Sequence, residues 1–306
     1  MGRRRFAPSR LLWHEAMWGY VFISPWLVGF VLFTAGPMLA SIVLSLMEWE
    51  LIVPPTFVGL GNFRQLMADR YVSISLYNTA YYTFLSVPLH LITALIAAIL
   101  MNQRVRFISY YRTLYYLPSV TPAVASALLW SFVFNPDYGL ANAVLQMFGL
   151  PAQGWFFDPA LAKPTFILVS LWNLGSAMVI FLAGLQGIPD TLYEAASIDG
   201  ANWWAKFWSI TLPMLSPVIF FNLVMGIIAS FQVFTGAYII TNGGPADATL
   251  FYVLYLYRNA FQFFRMGYAS ALAWVLFLII LVFTLLQLRL ARRWVYYEGE
   301  LREAGR

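Results

Sequence analysis

The sequence predicts an all-α polytopic membrane protein that crosses the bilayer about six times, and three observations carry that reading. The chain of 306 residues is 61% hydrophobic and only 10% charged, with a mean hydropathy of +0.72, which leaves too little polar surface for a water-soluble globule. Several apolar stretches reach the roughly 20 residues that a helix needs to cover about 30 Å of hydrocarbon. The basic residues also collect on alternate sides of those stretches, as topology signals do.

Six spans are expected, at about 18–47, 73–101, 113–135, 165–187, 213–241 and 267–289. With the N-terminus inside, 13 of the 18 basic residues fall in cytoplasmic segments. The outer loops keep Arg64, Arg70, Lys163, Arg258 and Arg265, so both ends are expected in the cytoplasm. The resulting plan is a cytoplasmic N-terminal segment over 1–17, a six-helix membrane domain over 18–290 and a cytoplasmic tail over 291–306. Arg3-Arg4-Arg5-Phe6 has the look of a twin-arginine export signal, but the apolar stretch behind it far exceeds a signal's hydrophobic region. The outer loop 136–164 carries turn residues around an apolar run, Leu140 to Leu150, that suits a short interfacial helix or a lid on the membrane surface.

Transport against a gradient needs an ion-coupling site or nucleotide hydrolysis. Each charge at a bilayer centre costs at least about 2.5 kcal/mol, and of the charged and histidine residues only His90 lies inside an expected span, Arg289 standing at the cytoplasmic end of the sixth. Beside Pro88 it could line a cavity, or hydrogen-bond a neighbouring helix. A P-loop needs Gly-Lys followed by Ser or Thr, whereas the two lysines, Lys163 and Lys206, follow Ala162 and Ala205. There are no cysteines, and His14 and His90 are too far apart to suggest a metal pair. No catalytic residue, metal or cofactor is therefore expected on this chain, and no nucleic acid as partner. A membrane-embedded enzyme would need a convergent acid, base or metal cluster, and a potassium-type channel a filter sequence; neither is present. An active transporter built on this chain needs its ATPase, with ATP and Mg, as a separate subunit.

The segment 188–212 offers a docking element for one. Pro189 suits a first helical position, Asp190 and Glu194 lie near the positive helix start, and Asp199-Gly200 can stop the helix and turn the chain. Ala195, Ala196 and Ala201 leave a small, smooth surface that a partner's groove can approach, with Glu194 as a carboxylate for a basic residue there. A second helix carries Trp203, Trp204, Phe207 and Trp208 at helical spacing, an aromatic stripe for the membrane interface. By pattern alone the same segment also reads as an amphipathic connector on the inner leaflet.

Glu194 to Pro217, EAASIDGANWWAKFWSITLPMLSP, resembles throughout the EAA loop of ABC importer permeases. Phe234 to Pro245, FTGAYIITNGGP, with Thr249 and Tyr268-Ala269-Ser270-Ala271, resembles the carbohydrate branch of that family, the maltose and glycerol-phosphate type. Phe22-Ile23-Ser24-Pro25-Trp26 and Gly36-Pro37 are similar to that branch's first-permease subunit. The resemblance implies a type I importer fold in a bacterial or archaeal inner membrane. It further implies a second permease, two ATP-binding subunits and an extracytoplasmic solute-binding protein as partners, besides membrane lipid. Glu194, Ala195, Ala196, Asp199, Gly200, Ala201 and Phe207 would belong to the ATPase-docking loop, and Asn242, Gly243, Gly244 and Pro245 to a turn facing the binding protein. The chemistry of that turn equally suits a plain loop.

Polar side chains within spans are candidates for the solute path: Trp172, Asn173 and Ser176 in span four, and Asn222, Gly226 and Ser230, with nearby Gln232, in span five. Aromatic faces with amide and hydroxyl partners hold sugars, although such side chains also join membrane helices. A sugar, oligosaccharide or polyol is the expected solute, with glycerol phosphate as the competing one. The absence of arginine and lysine from the interior of the expected spans favours a neutral sugar.

Overall fold

The computed structural model describes residues 10–103 and 105–296. The Arg3 to Arg5 motif, Arg104, Arg302, Arg306 and the tail from 297 lie outside the described residues. The chain forms two compact units, Met1–Leu66 with Asn259–Trp274, and Met67–Arg258 with Val275–Arg306.

In the first unit, α1 (Arg10–Phe30) passes through a π turn, Val31–Ala35, into α2 (Gly36–Ser45). The turn widens because Gly36 N–H reaches back to the Val31 carbonyl just before Pro37, which has no N–H to give. Trp13–Ser45 remains one continuous apolar helix long enough to span. The loop behind it holds a two-residue strand pair, β1 (Met47–Glu48) against β2 (Thr56–Phe57), and α3 (Gly61–Ala68). Asn62 pins this loop, donating to the carbonyls of Ser45 at 2.9 Å and Met47 at 2.8 Å.

The second unit is built around α4 (Arg70–Met101), whose N-cap Asp69 accepts from Tyr71 N–H. Three bent segments follow. α5 (Ile108–Val120) and α6 (Ala123–Val133) meet at 98°. α8 (Ala162–Ser170) runs through a 3₁₀ turn, Leu171–Asn173, into α9 (Gly175–Gln186) at 50°. Between these pairs lies α7 (Leu140–Met147), in the apolar run that suits a short interfacial helix or a lid. Asn142 ties that loop together with its amide, to Pro136, Gln153 and the Trp155 indole. Next come α10 (Asp190–Ile198), α11 (Trp203–Lys206), α12 (Leu212–Met214) and α13 (Ser216–Phe231), the stretch from Trp203 to Phe231 bending by 62°. The short α14 (Tyr252–Tyr257) precedes α15 (Met266–Ala291).

Among the described residues, six candidate spans thus comprise three unbroken helices and three bent pairs. The expected number of about six is met when each bent pair counts as one span, and the expected boundaries shift in the third, fourth and fifth. Thr121-Pro122 breaks the third, because Pro122 cannot donate to the helix and holds Thr121 extended at ψ 131°. The fourth starts at Ala162 rather than 165, and so takes Lys163 into the helix; Pro164 is tolerated there because first-turn N–H groups have no helical partner anyway. The fifth ends at Phe231, well short of 241, and a separate π turn covers Ala237–Thr241.

Small residues let the helices of the second unit approach. A Cβ on Gly175 would stand 2.6 Å from the Tyr115 carbonyl oxygen, so only glycine lets α9 meet α5 there. The core joins Ala94, Ala97 and Ala98 of α4 to Met178, Phe181 and Leu185 of α9, closed by Leu215.

Candidate functional site

The segment 188–212 folds as two helices across a tight turn. Pro189 is the N-cap, extended at ψ 130°, and not the first helical residue; α10 begins at Asp190, an acidic residue in the first turn, where the helix end is positive. At the other end Gly200 takes φ +77°. Gly200 N–H donates to the Ser197 carbonyl at 3.1 Å and Ala201 N–H to that of Ala196 at 2.8 Å. This is a Schellman end, which favours glycine at the left-handed position. The Asn202 side chain then accepts from Ala205 N–H at 2.9 Å and starts the second helix.

Two contacts brace the helices against each other. Lys206 Nζ donates to Ser197 Oγ at 2.6 Å, and the hydroxyls of Tyr193 and Thr211 lie 2.9 Å apart. Glu194, Ala195, Asp199 and Gly200 are left exposed, with Ala196 and Ala201 half-buried behind them. Phe207, also half-buried, stacks on Trp203 with 5.5 Å between ring centroids. On the opposite side Tyr193, Ile210 and Met214 pack against the core of α4 and α9. The loop is therefore a rigid knob with one free face and one face fixed to the helix core.

A cleft of about 560 Å³ opens between α4, the α8–α9 pair and α13. Asn173, Ser176, Asn222, Gly226 and Ser230, five of the seven residues expected on the solute path, line it together. Asn222 Nδ2 donates to the Val218 carbonyl and Ser230 Oγ to that of Ile227, so each keeps acceptor capacity for the cleft. Trp172 and Gln232 do not line it. Trp172 packs edge-on against Trp130 at 5.5 Å, while Gln232, at the C-cap of α13, donates to the Ile228 carbonyl at 3.0 Å.

Polarity alone misses Tyr82, Ser86 and Ser170, which complete the polar wall with His90. The available signal is the four-residue recurrence of Asn78, Tyr82, Ser86 and His90, which places them on one face of α4. His90 Nδ1 lies 3.3 Å from the Ser170 carbonyl, an acceptor only, so Nδ1 carries the proton in that contact.

Asn242 and Gly243 form a tight turn with φ of +44° and +83°, closed by Gly244 N–H on the Thr241 carbonyl at 3.0 Å. Asn-Gly is the pair such a turn favours. The segment past Pro245 folds back through Thr249, which lies 2.6 Å from both the Thr241 hydroxyl and the Gly244 carbonyl.

Residues 90–296 match the family described as "Binding-protein-dependent transport system inner membrane component". The "Probable ABC transporter permease protein YesP" of Bacillus subtilis is 45% identical over 297 residues, covering 95% of this chain and 96% of that protein. The "Trehalose/maltose transport system permease protein MalF" of Thermococcus litoralis is 34% identical over 286 residues, covering 93% and 97%. Among solved structures, a chain of a bacterial alginate ABC transporter, in complex with an alginate pentasaccharide-bound periplasmic protein, superposes with a TM-score of 0.81. That match covers 92% of this chain and 96% of the other at 23% identity, a likeness of fold. The knob at 190–212, the polar cleft and these relationships lead to one conclusion: the chain belongs to the inner-membrane components of binding-protein-dependent transport systems, as a permease subunit of an ABC importer.

Proposed function

We propose that this permease forms half of the path for a sugar, oligosaccharide or polyol. In this reading it pairs with a second permease and couples to two ATP-binding subunits that hold ATP and Mg. An extracytoplasmic binding protein delivers the solute at the turn Asn242 to Pro245, and both termini lie in the cytoplasm. The observation that carries the reading is the shared scaffold of cleft and knob. α4, the α8–α9 pair and α13 supply the cleft's polar lining, and Tyr193 and Ile210 of the knob rest on the core that α4 and α9 form.

The exposed face of Glu194, Ala195, Asp199 and Gly200 fits a groove on an ATP-binding subunit, while Trp203, Trp204 and Trp208, all exposed, suit the lipid interface. Closure of the ATPase pair then moves the knob, and the core carries the motion to the cleft walls as a rigid body. Amides and hydroxyls at Asn173, Ser176 and Asn222 in an apolar frame match sugar hydroxyls. The carbohydrate solutes in the names of the relative from Thermococcus litoralis and of the alginate importer agree with that chemistry.

Because the chain has no cysteine, Ser176→Cys supplies one thiol within the cleft. In the assembled transporter its alkylation rate is expected to change between the nucleotide-free and ATP-bound states, and to fall when the saccharide-loaded binding protein is added. A rate indifferent to both would remove the cleft from the path.

A further inference from the structure

A single ammonium stands just beyond the cleft. Lys163, in the first turn of α8, is half-buried and turns its Nζ onto Asn78 Oδ1 at 2.9 Å. The same Nζ lies 5.2 Å from the ring centroid of Tyr77 and 5.4 Å from that of Tyr81. Asn78 is itself fixed, donating to the carbonyls of Asp247 at 2.8 Å and Leu250 at 3.2 Å, so its oxygen is held toward the lysine. Nζ has three protons, and the two ring faces accept none of them as a carboxylate would. Asp247 meets Asn78 by its backbone carbonyl.

The position follows from helix geometry. Asn78 precedes Tyr82, Ser86 and His90 on the same face of α4, and those three line the cleft. Lys163 precedes Ser170 by seven residues, two turns, on α8. The Lys163–Asn78 pair therefore sits about 6 Å, one helical turn, past the end of the cleft and on two of its walls.

A lysine that snorkels stretches toward water or headgroups, whereas this one turns onto Asn78. A tie to Asn78 needs only a donor, and the contacts of this half-buried ammonium among the described residues, Asn78 and the two rings, bring it no counter-charge. A passing anion supplies the missing charge. One ammonium, without a guanidinium fork, matches a monovalent carboxylate better than a phosphate dianion, which calls for several donors or an arginine. We propose that Lys163, framed by Tyr77, Tyr81 and Asn78, is a charge-selecting contact for a carboxylated saccharide, a sugar chain bearing uronic-acid units, as it enters the cleft. The inference rests on the cleft being the solute path, and narrows the solute from sugars at large to acidic ones.

The chain has two lysines, Lys163 and Lys206, so amine acylation read by mass spectrometry probes the site against an internal control in the knob. In the assembled transporter, held in zwitterionic lipid, trigalacturonate at about ten times its dissociation constant should slow Lys163 acylation about tenfold. Lys206 should not change, and neither should Lys163 with the methyl-esterified sugar or maltotriose. In the Lys163→Gln variant, trigalacturonate and its ester should bind equally. Equal protection by acid and ester, protection by neither, or a Lys163 that fails to react in the free transporter would overturn the assignment. Protection by glycerol 3-phosphate or anionic lipid but not by trigalacturonate would also overturn it, giving the ammonium to a phosphate group. Each of these results leaves the Ser176→Cys response intact if the cleft is the path, so the two failures are distinguishable.

Discussion

The hydroxyls of Tyr193 and Thr211 lie 2.9 Å apart and join the two helices of the knob across the turn at Gly200. Thr211 is buried and Tyr193 half-buried against the α4–α9 core. Tyr193→Phe keeps the ring and its packing but removes the bond, and should destabilise the knob by about 1 kcal/mol. A double-mutant cycle with Thr211→Val, read by thermal unfolding of the purified transporter, should show coupling of similar size. Strictly additive effects would mean that the contact holds nothing together.

Gly200 holds the turn of the knob in a conformation that suits glycine. At φ +77°, Gly200→Ala puts a side chain in left-handed backbone at a cost of about 1–2 kcal/mol, although open space surrounds the added Cβ. The expected outcome is a permease that stays in the membrane while binding-protein-stimulated ATPase activity falls. Unchanged stimulation would show that the turn's geometry is not needed for docking.

Ser176→Leu fills part of the cleft without touching the knob. Uptake should drop at least tenfold while the ATP-binding subunits still co-purify with the permease. Co-purification lost together with uptake would instead indicate that the substitution has disturbed the fold.

Gly175→Val tests the meeting of α9 and α5. Its Cβ would stand 2.8 Å from the Tyr116 Cα as well as 2.6 Å from the Tyr115 oxygen, and forced overpacking of this kind costs about 1–3 kcal/mol. Thermal unfolding should shift down by several degrees, and a neutral result would place the helices farther apart than described.

Length and apolarity reveal where a helix can cross, but not whether it runs straight. Pro25, Pro88 and Pro118 all sit inside helices, whereas Pro122 breaks one, and nothing local separates the two outcomes. The knob is legible because its turn chemistry is strictly local: Asp199-Gly200 ends one helix and Asn202 starts the next. Cleft membership is legible only in part, because it depends on which face of a helix meets its neighbours. Asn173, Ser176, Asn222, Gly226 and Ser230 stand out by type. Trp172 and Gln232 are displaced by the bend in the fourth segment and the early end of α13, both set by tertiary packing.

The claim that the knob transmits ATPase motion to the cleft is tested most directly by ATP-driven uptake in the assembled transporter carrying Glu194→Lys or Gly200→Asp. Both substitutions lie on its exposed face. The predicted result is a permease retained in the membrane at normal levels, with uptake abolished or uncoupled from ATP hydrolysis in both variants. Normal ATP-driven uptake by both would contradict the account.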